Sequence, residues 1–119
     1  MTPEEALRRA QTLAVKINLL LDTRLDSSGR RQVYTTIHPA AMKFGFYVSR
    51  TRWQLLKQGE VQVVPDECLR ALANVFDVPA EYLLHENAPL PAAVEAALPR
   101  IRRQRLYEMQ DFAKKTVGP

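Results

Sequence analysis

Glycine is scarce, with four residues in a chain of 119, and none of them sits in a glycine-rich phosphate loop. A nucleotide cradle is therefore not expected. The single cysteine, Cys68, cannot close an internal disulfide, so stability has to come from apolar packing, which suits a reducing cytoplasm. No His or carboxylate cluster has metal-ligand spacing, no nucleophile lies beside a base, and no carboxylates pair in a cleft-forming pattern. The expectation is a non-enzyme with no metal, no cofactor and no evident small-molecule ligand. The N-terminus carries Glu4 and Glu5 in place of a basic region followed by an apolar run, and no segment approaches the roughly 20 apolar residues that span a bilayer. No membrane partner is expected.

The most informative absence is local. Between Asp26 and Glu60 there is no carboxylate, while Arg30, Arg31, Lys43, Arg50, Arg52 and Lys57 all fall in that window. The net charge of +4 favours an anionic partner only weakly. An acid-free segment is more specific, because duplex DNA carries a charge about every 1.7 Å of axis and binds cations with release of counterions.

Thr2-Pro3-Glu4-Glu5 reads as a helix start with Thr2 as cap, and Ala6, Ala10, Leu13, Ile17 and Leu20 continue it at three-and-four spacing to about Leu21. Asp22 to Arg31, centred on Asp26-Ser27-Ser28-Gly29, has no apolar period and predicts a loop. Next comes a short helix capped by Thr36, with Pro39 in its first turn, followed by a tight turn at Gly45 and an apolar plug at Val48. Ser49 caps a helix to Gln58 in which Trp53 and Leu56 face one way, and Arg50, Thr51, Gln54 and Lys57 the other. Trp53 reads as core rather than as a stacking platform. Gly59 ends that helix, Pro65-Asp66-Glu67 starts a fourth with Leu69, Leu72, Ala73 and Phe76 on its buried stripe, and Pro79 to Leu84 is a brief fifth. The linker Glu60 to Val64, apolar with three valines and one Gln, is open between a strand-like turn and a segment that contacts a phosphate backbone poorly.

The segment Glu86 to Pro91 is punctuated by proline and predicts a boundary between residues 1–86 and an arm, 87–119. In the arm Val94, Leu98, Ile101, Leu106, Met109 and Phe112 form a stripe, with Arg100, Arg102 and Arg103 on its flank and Pro99 as a kink or restart. A helix with that stripe calls for a partner helix, so these six residues are the expected dimerisation surface. His38 and His85 lie far apart in the sequence and show no carboxylate-histidine pairing pattern, so neither reads as a pH sensor or a ligand. Cys68, beside Asp66 and Glu67, reads as a small buried residue rather than a redox sensor.

The pair of helices meeting across Gly45 reads as a helix-turn-helix. With Val48, Ser49, Trp53, Leu56, Gly59, Pro65, Leu69, Leu72, Ala73, Phe76, Val78 and Leu83 in place, residues 33–84 resemble the Xre or lambda-repressor-like family. More narrowly, the run Tyr47-Val48-Ser49 through Leu56-Lys57-Gln58-Gly59, then Leu72-Ala73-Asn74-Val75-Phe76 with Ala80-Glu81-Tyr82-Leu83 behind it, looks like the actinobacterial EspR-type nucleoid-associated regulators. The resemblance implies an all-α, lambda-repressor-like domain of about five helices with an extra N-terminal helix and a C-terminal helical dimerisation arm. It also implies a cytoplasmic, nucleoid-associated homodimer bound to double-stranded DNA. This chain departs from the family where the second helix begins: a polar residue, often Gln, is usual there, and here stand Tyr34-Thr35-Thr36 with Pro39 close behind.

In that reading the Ser49–Gln58 helix enters the major groove. Arg50 pairs with a guanine, Gln54 with adenine, and Thr51 meets a thymine methyl or a phosphate. Ser49 and Lys57 lie over the backbone, Thr35 or Thr36 donates to phosphate, and Lys43, Arg30 and Arg31 add nonspecific attraction. Arg52 is divided between a phosphate and an acid of a neighbouring helix. The competing reading is an antitoxin-like or adaptor dimer that uses the same scaffold without DNA.

Overall fold

The computed structural model describes residues 1–117, so the last two residues of the 87–119 arm lie outside the described residues. The described residues form six helices and no strand: α1 (Pro3–Thr23), α2 (Tyr34–Lys43), α3 (Arg50–Gln58), α4 (Asp66–Val75), α5 (Glu81–Leu84) and α6 (Ala92–Val117).

Local signals set most of the boundaries. Thr2 Oγ1 accepts the Glu5 amide at 3.1 Å and Pro3 occupies the first turn of α1, where its missing N–H leaves no helical bond unmade. Helix α4 begins after Pro65 with Asp66 and Glu67 in its first turn, where their negative charge complements the positive end of the helix dipole. It ends in a Schellman turn. The Val78 amide reaches Ala73 O at 3.0 Å and the Asp77 amide reaches Asn74 O at 3.2 Å. Asp77 takes the left-handed position of that turn, φ 53°, where glycine is usual.

Helix α1 is the central strut, packing against α3, α5 and α6, while α4 gathers α2 and α5. Its apolar period delivers Ile17, Leu20 and Leu21 to a core shared with Ile37, Trp53, Leu72, Phe76 and Val94. Leu7, nearer the N-terminus, stays exposed.

One core position is polar. Lys16 is buried, and its Nζ donates to the carbonyls of Tyr82 (2.7 Å), His85 (2.8 Å) and Glu86 (3.1 Å) while sitting 5.0 Å from the Tyr82 ring centroid. Three carbonyls at the end of α5 thus satisfy all three ammonium protons. Burial pushes the amine down from its ordinary range and Glu86 opposes that shift.

The first turns of the arm pack onto the rest of the chain. Val94 and Ile101, expected on the dimer stripe, are 0% and 2% exposed. Val94 belongs to the same core as α1, so neither side chain is available to a second chain. Arg100 Nη2 donates to Asp22 O at 2.7 Å and Arg105 Nη2 lies 3.2 Å from Asp22 Oδ2, fixing α6 to the end of α1. Leu98 is half-buried. Beyond Arg105 the stripe emerges, with Leu106 56% and Met109 69% exposed and Phe112 also on the surface. Pro99 lies inside α6, which runs on past it.

Candidate nucleic-acid interface

Helix α2 begins three residues earlier than its sequence predicts. Val33 takes the cap position and its carbonyl accepts the amides of Thr36 (2.9 Å) and Ile37 (3.0 Å). Thr36 is therefore a helical residue and not the cap, and Pro39 lies inside the helix rather than in its first turn. No side chain caps α2 and no acid stands in its first turn. The positive end of its dipole consequently faces solvent beside Thr35 and Thr36, both exposed.

The α2 C-terminus closes in a second Schellman turn, with Gly45 at φ 87°, its amide on Met42 O at 3.0 Å and the Phe46 amide on Ala41 O at 3.3 Å. Val48 is buried as the plug. Residues 44–49 separate the two helices, a longer link than the sequence suggests because the Schellman turn and the Ser49 cap each take their own residues.

Ser49 Oγ accepts the Arg52 amide at 3.1 Å and starts α3 as expected. Trp53 and Leu56 are buried against α1, which leaves Arg50, Thr51 and Gln54 exposed along the opposite side. At the other end of α3, Gly59 adopts φ 74°, and a Cβ there would lie 3.4 Å from Gln11 Cα. Asn18 Nδ2 donates to Lys57 O at 3.1 Å. The C-terminal end of α3 is thus clamped to α1 and its N-terminal end is presented.

The first turns of α2 and α3 meet. Arg50 Cζ lies 4.5 Å from the Tyr34 ring centroid, and Tyr34 donates its hydroxyl proton to Val48 O at 2.7 Å. Burial pushes the Tyr34 phenol up and Tyr47 adds to it, with Arg50 opposing, so the hydroxyl stays a donor at neutral pH. Behind Tyr34, His38 stacks at 5.5 Å and 5°, and Tyr47 meets His38 edge-on at 5.0 Å. His38 Nδ1 is buried without a hydrogen-bond partner.

Not every basic residue of the window is presented. Arg31 grips Asp22 in a bidentate pair, Nε to Oδ1 at 2.7 Å and Nη2 to Oδ2 at 2.9 Å, and also donates to Asn18 Oδ1 at 2.9 Å. Arg31 is thus tied to the end of α1 while staying half-exposed, and it shares the one Asp22 carboxylate with Arg105. Arg52 meets neither an acid nor the exterior face. It donates to Val63 O at 2.8 Å and to Gln62 Oε1 at 3.4 Å, and Gln62 Nε2 returns a bond to Arg52 O at 3.1 Å. Arg52 therefore fixes the 60–64 linker, which is not a strand. Lys57 is half-buried with Nζ 5.9 Å from the Trp53 ring centroid. Arg30 and Lys43 are exposed. The loop bearing Arg30 is ordered by Asp26, whose Oδ1 accepts from Ser28 N (2.8 Å), Ser28 Oγ (2.6 Å) and Arg30 N (3.1 Å).

The residues sequence reasoning missed here are Tyr34 and Asp22, the one for its ring under Arg50 and the other because it lies outside the acid-free window. Cys68 is buried, and burial pushes its thiol up to about 11 against the pull of Arg52. No group of three or more metal-ligating side chains occurs among the described residues, and no helix among them is long and apolar enough to cross a membrane. Comparison of the chain with known protein families, with characterised proteins and with solved structures finds no match.

Proposed function

We propose that this chain binds duplex DNA through a helix-turn-helix of the Xre or lambda-repressor-like kind, formed by α2, residues 44–49 and α3, with α3 in the major groove. It then acts as a transcriptional regulator or nucleoid-associated protein of the cytoplasm. The observation that carries the reading is the exposed row Arg50, Thr51 and Gln54 on a helix whose other side is locked into the core by Trp53 and Leu56. Arg50 has the fork for guanine and Gln54 the amide for adenine. The open N-terminus of α2, with Thr35 and Thr36, suits a backbone phosphate, and Lys43 and Arg30 add long-range attraction. Pairing of two chains through the emergent part of α6, around Leu106, Met109 and Phe112, would offer two such helices to half-sites on one duplex.

The adaptor reading draws on Met42, Phe44 and Tyr47, which are exposed near the same turn. Titration of duplex binding against salt separates the two. A DNA-binding chain loses affinity linearly in log salt, whereas an adaptor shows no duplex binding with such a slope. In addition, Arg50→Ala is expected to lose about 1–3 kcal/mol of discrimination at one base pair. Equal loss on selected and random DNA would reject the readout role of Arg50.

A further inference from the structure

An arginine at the start of a presented helix has many rotamers, and fixing its guanidinium costs entropy that weakens any paired contact it makes. In this chain that freedom is already restricted. The Arg50 guanidinium carbon lies 4.5 Å from the Tyr34 ring centroid, within the range of a cation–ring attraction. Tyr34 is itself held from two sides: its hydroxyl donates to Val48 O at 2.7 Å, and its ring lies parallel to His38, which Tyr47 braces edge-on. The ring therefore has a fixed plane, anchored to the backbone of the very turn that leads into α3.

Resting on the DNA reading above, we infer that Tyr34 is a positioning residue for base recognition: its ring holds the Arg50 guanidinium in place before the duplex arrives, and so sets sequence discrimination rather than overall affinity. A guanidinium seated over an aromatic ring makes no hydrogen bond to it, so its donors remain for the paired acceptors of a guanine. Tyr34 stands where a phosphate-contacting polar residue would be expected, and its hydroxyl is already committed to Val48.

The test uses the full chain and DNA fragments selected by the wild type from a random library at fixed salt, with unselected DNA as reference. Tyr34→Phe keeps the ring and is expected to retain the ratio of selected to unselected affinity. Tyr34→Leu should lose about tenfold of that ratio, with unselected affinity nearly constant, and should lose nothing further when combined with Arg50→Ala. Tyr34→Met supplies the same contrast if the leucine variant unfolds. Independently of DNA, the Arg50 side-chain protons should show a ring-current shift by NMR in the wild type and Tyr34→Phe, absent in Tyr34→Leu. An unchanged ratio in Tyr34→Leu, or no ring-current shift in the wild type, overturns the positioning role while leaving duplex binding intact. A wild type with the ring-current shift but without salt-dependent duplex binding overturns the DNA reading itself, and the positioning role with it.

Discussion

Two groups of cations in this small chain meet opposite fates. Lys16, Arg31, Arg52, Arg100 and Arg105 find oxygens within their own chain, at Tyr82, Asp22 and Val63 among others. Arg50, Lys43 and Arg30 remain at the surface, and Arg50 leans on an aromatic face instead of an acid. The first group ties helices together; the second is left to act on something outside. A basic residue thus becomes available to a partner through the absence of an internal oxygen in reach, and a count of charges along the sequence cannot register that absence.

The contrast is broken most severely at Lys16. Lys16→Met keeps the apolar stem but leaves three carbonyls without their donor, so the chain should lose about 2–4 kcal/mol of stability in a denaturant titration. Duplex binding by the folded fraction should be unaffected. A loss near zero would show that water replaces the ammonium.

A smaller effect is expected at Asp22, which moves a cation from one group to the other. Burial pushes the Asp22 carboxyl up, but Arg31 and Arg105 outweigh it and hold it below the usual carboxylate range. A carboxyl whose folded value is depressed stabilises the fold fully above its unfolded pKa, about 3.9, and that stability fades as pH falls through the lower folded value. Asp22→Asn should therefore cost about 1 kcal/mol at neutral pH, after allowance for screening at the half-exposed Arg31, and should flatten the acid limb of a stability–pH curve. It should also release Arg31 and steepen the salt dependence of duplex binding by up to about one unit of slope. A parallel acid limb in variant and wild type would refute the assignment.

The smallest change is a control that leaves both groups alone. Asp77 holds φ 53° with its side chain almost wholly exposed and only a 3.9 Å approach to Arg24. Asp77→Gly should raise stability by less than about 1 kcal/mol by thermal melting, without altering DNA binding.

Much of the fold was legible because its signals are local. Ser49, Gly59, Pro65 and the Trp53–Leu56 pair each act within one turn, and α3 and α4 lie where those residues put them. The start of α2 was misplaced because Pro39 suits a first turn, whereas the Val33 carbonyl, which takes two amides, bears no side-chain signature. The role of Lys16 depends on carbonyls at residues 82, 85 and 86, and backbone acceptors are the same at every position of a sequence. In α6 one apolar period serves two environments. Val94 and Ile101 meet the chain's own core while Leu106 and Met109 do not, and periodicity reports a face without saying what it faces. At the candidate site Arg50, Thr51 and Gln54 were readable from helical spacing, but the ring of Tyr34 beneath Arg50 required the turn geometry of residues 44–49.

The clamp between Gly59 and α1 has a mechanical corollary. One unbroken rod, α1, touches α3 near its far end and carries α6 through Asp22 at its own terminus. The tail and α3 are thereby seated on one axle, and Arg31 of the 24–33 loop joins the two contacts by donating to both Asn18 and Asp22. Asn18 holds the last turn of α3 through Lys57 O, so removing its amide would loosen the far end of that helix without touching Arg50, Thr51 or Gln54.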